Sequence, residues 1–298
     1  MLIAALIRVL IRAWRARRER DASPKDTTRK ETPTPAARGP LPLLFHQARY
    51  DTLASVRNPR ARFFTFMFPI LLLVIFSSVL GHGHTTIIDG ARVSLARYFV
   101  GGIIAMSIIT AAYAGLVVTI ATAREAGVLK RRRATPVPAA VIIGGQAIAT
   151  LVTAAIASIL LLLVARIGYG IGFGVGALAA MAIAAVVGTL TFACLAYAVA
   201  GLIGSPDAAQ PIVQATMLPL YFISGVWIPT ANLSPALRHI AEIFPIEHLA
   251  AALHLASVRG SFSAALAPTD LLVLSLWALA TTVFAARRFS WLPAAAGA

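Results

Sequence analysis

The sequence predicts an all-α integral membrane protein with six transmembrane helices, and three observations carry that reading. Only 12% of the 298 residues are Asp, Glu, Lys or Arg, where a soluble chain carries about 25%. Hydrophobic residues make up 59%. Six runs contain no charged residue at all: 63–80, 99–123, 137–165, 167–206, 208–237 and 271–286. Crossing the hydrocarbon takes about 20 apolar residues in a helix. Each crossing must be helical, because lipid offers nothing to an unpaired backbone amide.

The chain opens with "MLIAALIRVLIRAWRARRER". Arg8 interrupts the apolar stretch and the basic block follows it, so this is not a signal peptide. On a helix, Leu2, Ile3, Leu6, Ile7, Leu10 and Trp14 share one side, and Arg8, Arg12 and Arg15 the other. Such a helix lies flat on a membrane surface. The next stretch, "DASPKDTTRKETPTPAARGPLP", is rich in Pro, Thr and charge and reads as an unstructured linker. Residues 1–42 thus stand apart from a membrane domain over 43–290, with a short tail at 291–298. From Leu43 the chain regains modest amphipathicity, runs along the membrane and enters the first span after "RNPRARFF".

Between the first two spans lies "GHGHTTIIDGARVSLARY". His82 and His84 are metal-ligand types, but no third ligand stands near them in sequence, and a solvated turn is expected. After the second span comes the most unusual stretch, "AREAGVLKRRRATPVPA". Gly127 permits a bend, "VLKRRRA" continues as a short helix, Thr135 offers a cap, and Pro136 a first helical position. Lys130, Arg131, Arg132 and Arg133 would each gain about 1 kcal/mol beside anionic headgroups. The glycine-rich "IGYGIGFGVG" is expected to be a loop that enters the fourth span near Ala177.

Residues 221–268 are too polar to cross and too apolar for an ordinary loop. Ser234 and Pro235 make a good helix start, and Phe244-Pro245 breaks that helix and starts another. Two short helices forming a re-entrant hairpin are expected, with Tyr221 and Trp227 at headgroup level. His239, Glu242, Glu247 and His248 could form a hydrolytic or metal cluster. Their dense Ala/Leu background favours a packed hairpin with its polar edge in water. The last run is short, and Asp270 with Arg287 and Arg288 can snorkel to extend it. Gly188, Gly201 and Gly204 are expected to serve close helix packing. Cys194, the single cysteine, can form no intrachain disulfide.

A formal charge of +15 would fit nucleic acid, but its distribution does not. Of 26 Lys and Arg residues, 14 precede the first span, five lie in the cassette and two follow the last span. With both termini cytoplasmic, those 21 face inward, and only Arg92, Arg97, Arg166, Arg238 and Arg259 face outward. That is the positive-inside pattern, and it makes the cassette a cytoplasmic loop. The partners expected are therefore lipids and not nucleic acid.

The cassette "REAGVLKRRRATPVPAAVIIGGQ" resembles the intracellular loop of type-2 ATP-binding cassette (ABC) exporter permeases through Glu125, Gly127, Leu129, Lys130, Arg131, Thr135 and Pro136. The entry to the first span resembles that family through Arg57, Asn58, Pro59, Phe68 and Pro69. The region after the fifth span does so through Ser224, Gly225, Pro229, Leu233, Pro235, Ile240, Pro245 and His248. The resemblance implies a type-2 ABC transmembrane domain over 43–290 with six spans. It also implies an amphipathic elbow helix, with Arg57, Asn58, Pro59 and Arg60, and an outer re-entrant gate, with Gly225, Pro229, Pro235, Pro245 and His248.

Glu125, Gly127, Leu129, Lys130, Arg131 and Thr135 would form the cytoplasmic coupling helix that contacts a separate ATPase. The implied setting is the bacterial cytoplasmic membrane, where a second permease subunit, identical or not, completes the pathway. The chain would export a hydrophobic or amphipathic drug, antibiotic or lipid. ATP and Mg²⁺ would sit on the ATPase, with no cofactor or metal in this chain. Its lysines, Lys25, Lys30 and Lys130, do not follow a glycine, so it lacks the Gly-Lys-Ser/Thr ending of a phosphate loop and is not expected to be an enzyme. Alternatives left open are an ion-gradient transporter, a lipid-modifying membrane enzyme, and a non-transporting scaffold or immunity protein. The first would need ionisable residues within its spans, and these are nearly empty of them.

Overall fold

Proline and glycine set most of the helix ends in the computed structural model, which describes residues 40–57, 63–81, 83–128, 139–259 and 261–288. Helix α1 is Pro40–Arg57 and α2 is Phe63–Val79, whose first turn, Phe63–Met67, is π-helical. A hairpin, β1 Thr85–Ile88 and β2 Ala91–Ser94, follows. Then come α3 Leu95–Glu125, α4 Ala139–Tyr169, α5 Val175–Ala200 and α6 Pro206–Ile223. Two short helices, α7 Pro235–Ala241 and α8 Pro245–Val258, precede the four-residue α9 Phe262–Ala265 and the long α10 Pro268–Arg288.

Among the described residues four helices, α3, α4, α5 and α10, are long and apolar enough to cross a membrane. The expected first span corresponds to the shorter apolar α2. The expected fifth is helical only as far as Ile223, in α6, whose start "PDAAQPIVQ" is comparatively polar. Large apolar side chains on α4 and α10, among them Ile159, Leu163, Leu276 and Leu279, point outward. A bilayer would cover such faces. The expected amphipathic helix in residues 1–20, the linker up to residue 39, Asn58, Pro59, Arg60, His82, Pro136 and the tail at 291–298 lie outside the described residues, and the last three linker residues, 40–42, already form the start of α1.

Three local differences from the sequence expectation have simple causes. The loop between α4 and α5 is shorter than expected. α4 runs through Arg166 to Tyr169, and α5 already starts at Val175, leaving only 170–174 non-helical. Helix propagation from two long neighbours outweighs the modest cost of a glycine at each end. The first connecting segment is a β-hairpin with register Thr85↔Ser94 and Ile88↔Ala91. Asp89 and Gly90 both have positive φ, as a tight hairpin turn requires. Tyr221 is buried, packed against Trp227 at a ring distance of 5.5 Å, so it does not lie free at a headgroup surface.

Alternating helices give the bundle two ends. At the hairpin end, Tyr169 donates to the Val74 carbonyl at 2.9 Å and meets the Ser78 hydroxyl at 2.7 Å, joining α4 to α2. There Arg97 donates to Ser257 O at 2.8 Å and Gly172 O at 3.2 Å, and its guanidinium lies over Phe173. At the opposite end α1 packs along α4, where Gly144 and Gly145 leave room for Leu44, Gln47 and Ala48. Helix α5 lies against α10, and Thr191 Oγ1 donates across that seam to Leu274 O at 2.9 Å.

The short α8 is not peripheral. It packs against α3, α5 and α10, burying Ile246, Leu249, Leu253 and Ala256. Gly188 makes room for α8, and Gly102 for the turn after α6. A methyl group at Gly102 would strike the Val226 carbonyl, and one at Gly188 would meet Leu249 Cδ1 at 2.5 Å. Gly188 therefore serves close packing, whereas Gly204 faces open space.

Replacing Gly102 by Ala is expected to cost about 1–3 kcal/mol, the usual penalty for overpacking. Gly188→Ala should cost less, because the Leu249 side chain can rotate and a backbone carbonyl cannot. Thermal unfolding of the two purified variants checks the order.

Candidate functional site

Two groups of functional side chains lie at opposite ends of the bundle. The first begins where α3 stops. The Ala126 amide donates to Thr122 O at 3.0 Å and the Gly127 amide to Arg124 O at 3.1 Å. Gly127 has φ +65°, a left-handed conformation that closes the helix and that other residues rarely adopt. Glu125 and Ala126 are exposed, and Gly127 and Val128 are half-buried. Leu129, Lys130, Arg131 and Thr135, expected with Glu125 and Gly127 in one contact surface, lie outside the described residues.

Arg124 behaves differently from its exposed neighbour. It is 4% exposed and turns inward, donating through Nη1 to Ala200 O at 3.1 Å and through Nη2 to Ile203 O. Those carbonyls end α5 and begin the segment leading to α6. Arg57, expected on the same face, closes α1, with Asn58, Pro59 and Arg60 beyond it outside the described residues.

The second group gathers around the turn after α6. Gly225 has φ +73°, and its carbonyl accepts from Tyr98 Oη on α3 and, at 2.9 Å, from His254 Nε2 on α8. The Tyr98 and His254 rings stack at 4.1 Å and 10°. His254 Nδ1 has no partner and lies against Gly101. Pro229 precedes the single turn Thr230–Asn232, and Pro235 starts α7, where Ser234 Oγ accepts the Leu237 amide. Pro245 starts α8. A cavity of about 270 Å³ at this end is lined by Tyr98, Ser224, Gly225, Pro229, Glu247 and His254, among others. Asp89 of the hairpin also lines it, and Arg259, just past α8, donates to the Asp89 carboxylate through Nε at 3.0 Å.

His248 sits at the edge of this group. Its Nε2 meets the Glu242 carbonyl at 2.9 Å, and its Nδ1 meets Asp270 Oδ1 at 2.8 Å and Glu247 Oε2 at 3.5 Å. A carbonyl and a carboxylate can only accept, so both ring nitrogens are placed to donate. The doubly protonated imidazolium satisfies both. The hydrogen bond to Asp270 accordingly holds the His248 pKa above its ordinary 6.5, against the opposing effect of burial. Burial raises the Glu247 carboxyl, with His248 opposing the rise.

With Nδ1 unprotonated, Glu247, His248 and Asp270 offer three ligand atoms within 4.8 Å, a donor set that can hold a divalent cation. Of the acids and histidines grouped from sequence, only Glu247 and His248 share this cluster. Glu242 contributes its backbone carbonyl, and the His239 ring bonds Pro235 O within its own helix.

Sequence reasoning missed four participants. Asp270 was legible only as an anchor for the last helix, because its partner stands 22 residues away. Tyr98 and His254 meet across unrelated elements and leave no local pattern. Arg124 did leave one: it continues the buried stripe of Tyr113, Val117 and Ile120 at helical spacing.

A family model described as ABC-2 type transporter matches residues 44–256. A search of curated proteins finds no match. The matched segment contains the turn at Gly127, the Gly225 turn and most of α8, but not Asp270 or α10.

Because His248 has a raised pKa, its stabilising contacts are complete below the unfolded value of about 6.5 and are lost as pH rises through the folded value. The melting-temperature difference between the wild type and His248→Gln should therefore be largest near about pH 6 and shrink toward about pH 9. A difference that stays constant across this range would contradict the imidazolium assignment.

Proposed function

This chain belongs to the ABC-2 type transporter family, and from that premise we propose that it is the permease subunit of an ATP-driven exporter in a bacterial cytoplasmic membrane. The observation that carries the reading is the family match across residues 44–256, which includes the exposed turn that closes α3. Six crossings follow when α2 and α6 join the four long apolar helices. The positive-inside distribution supports a cytoplasmic location for both termini and the Gly127 turn. The hairpin, α7 and α8 then belong to the outer side, with α7 and α8 as a re-entrant gate containing Gly225, Pro229, Pro235, Pro245 and His248.

In this reading ATP and Mg²⁺ are bound by a separate ATPase, and Glu125, Gly127, Leu129, Lys130, Arg131 and Thr135 meet its surface. Exposed Glu125 is suited to pair with a basic residue there. The elbow residues Arg57, Asn58, Pro59 and Arg60 complete the cytoplasmic face. A second permease subunit supplies the other half of the pathway. Helices lined by Ala, Gly, Val, Ile, Phe and Met suit a hydrophobic or amphipathic substrate, such as a drug, an antibiotic or a lipid. ATP-driven closure of the ATPase pair tilts the coupling segment, and the bundle exchanges inward-open for outward-open states.

Replacing Glu125 by Arg reverses the charge offered to the ATPase. In proteoliposomes containing the complex, export of hydrophobic dyes should fall at least about fivefold, a typical loss of coupling, while ATP hydrolysis persists. Export at the wild-type rate would remove Glu125 from the contact.

A further inference from the structure

We propose that Arg124 is the positioning residue that locks the coupling turn to the end of α5, so that the turn, the α5 terminus and the start of α6 move as one body. This rests on the transporter reading above and assigns a role that the reading does not contain. Arg124 is the penultimate residue of α3 and is 4% exposed. An arginine at a membrane boundary ordinarily extends its head toward water or headgroups. Here the guanidinium turns into the protein, although exposed Glu125 beside it shows that the surface is close at hand.

What it reaches is a carbonyl left over at a helix end, together with one in the segment just beyond it. The last carbonyls of a helix have no partner within it and carry partial negative charge. Nη1 takes Ala200 O, the final residue of α5, and Nη2 takes Ile203 O, two residues before Ser205. Ser205 in turn caps α6, its hydroxyl accepting the Ala208 amide at 3.4 Å. Meanwhile the backbone carbonyl of Arg124 holds the Gly127 amide. One residue thus closes the turn with its main chain and clamps α5 with its side chain.

Stability alone is a poor account of this cation. Among the described residues no carboxylate pairs with it, and its Nε has no partner. Burying a guanidinium without a counter-ion is unfavourable, and an apolar side chain of similar length often serves stability as well or better. What an apolar side chain cannot do is grip two carbonyls at once. The planar fork of arginine does so from two separate nitrogens in fixed geometry, whereas a lysine must reach both from a single ammonium.

The test uses the full chain assembled with its partner ATPase, in a Cys194→Ser background. Spin labels are placed at Ala126, exposed in the turn, and at Gly204, which has open space around it. With Arg124 present, the distance between the labels should stay unchanged between nucleotide-free and ATP-trapped complexes. With Arg124→Met it should change on trapping, and stimulation of the ATPase by the permease should fall about fivefold or more. Arg124→Lys retains a cation at the helix end, should fold even if the Met variant does not, and should give an intermediate loss. A Lys variant indistinguishable from wild type in both readouts, or a wild-type distance that shifts on trapping, would overturn the role of Arg124. A wild-type chain that never stimulates the ATPase would instead overturn the transporter reading, and this role with it.

Discussion

A backbone carbonyl away from water must find a donor, and the Gly225 carbonyl is where that constraint bears hardest. Regular helix satisfies itself, which is why most of this chain is helical. After Ile223 the chain leaves the helix while still inside the protein, and Ser224 and Val226 are fully buried. Tyr98 from α3 and His254 from α8 both donate to the freed carbonyl. Gly102 gives the turn room to press against α3. The irregular segment is tolerated because two separate helices supply what lipid would not. The same two donors stack on each other, so α3, α8 and the turn form one unit.

The two ends of the bundle handle charge in opposite ways. At the hairpin end, acids and bases meet each other: Arg259 with Asp89, and His248 with Asp270. These pairs are partly exposed and stitch the hairpin, α8 and α10 together. At the other end Arg124, among the described residues, meets backbone carbonyls, and Glu125 is left facing out. A transporter that receives its energy at one end and opens at the other would place its rigid polar anchor near the input. Weaker, water-accessible pairs would stand near the exit, since such pairs contribute little individually.

How much could be read from the sequence depended on how local the cause was. Ser234-Pro235 and Phe244-Pro245 mark helix starts through their own chemistry, and α7 and α8 begin there. The apolar runs located the long helices, though the edge of α5 came two residues earlier than glycine content implied. The hairpin had a legible signal in Asp89-Gly90 between short β-prone stretches, hidden by the polar appearance of the loop. The burial of Arg124 could have been inferred from the stripe it continues. The pairing of His248 with Asp270 could not, because it depends on how α8 settles against α10 in three dimensions.

The π-helical turn at Thr110–Ala114 has a further implication for α3. Each wider turn accommodates one more residue than an α-turn, which rotates everything downstream by about 100°. Before the bulge, α3 meets α2, α4, α8 and α5; after it, α5 and α6. A single uninterrupted rod would have shown the same stripe to the same neighbours throughout. With the phase offset, one rod works as two gears on a common shaft: α5 runs beside both, while α2, α4 and α8 mesh above and α6 below. Twist applied at one extremity reaches neighbours that the other extremity does not touch.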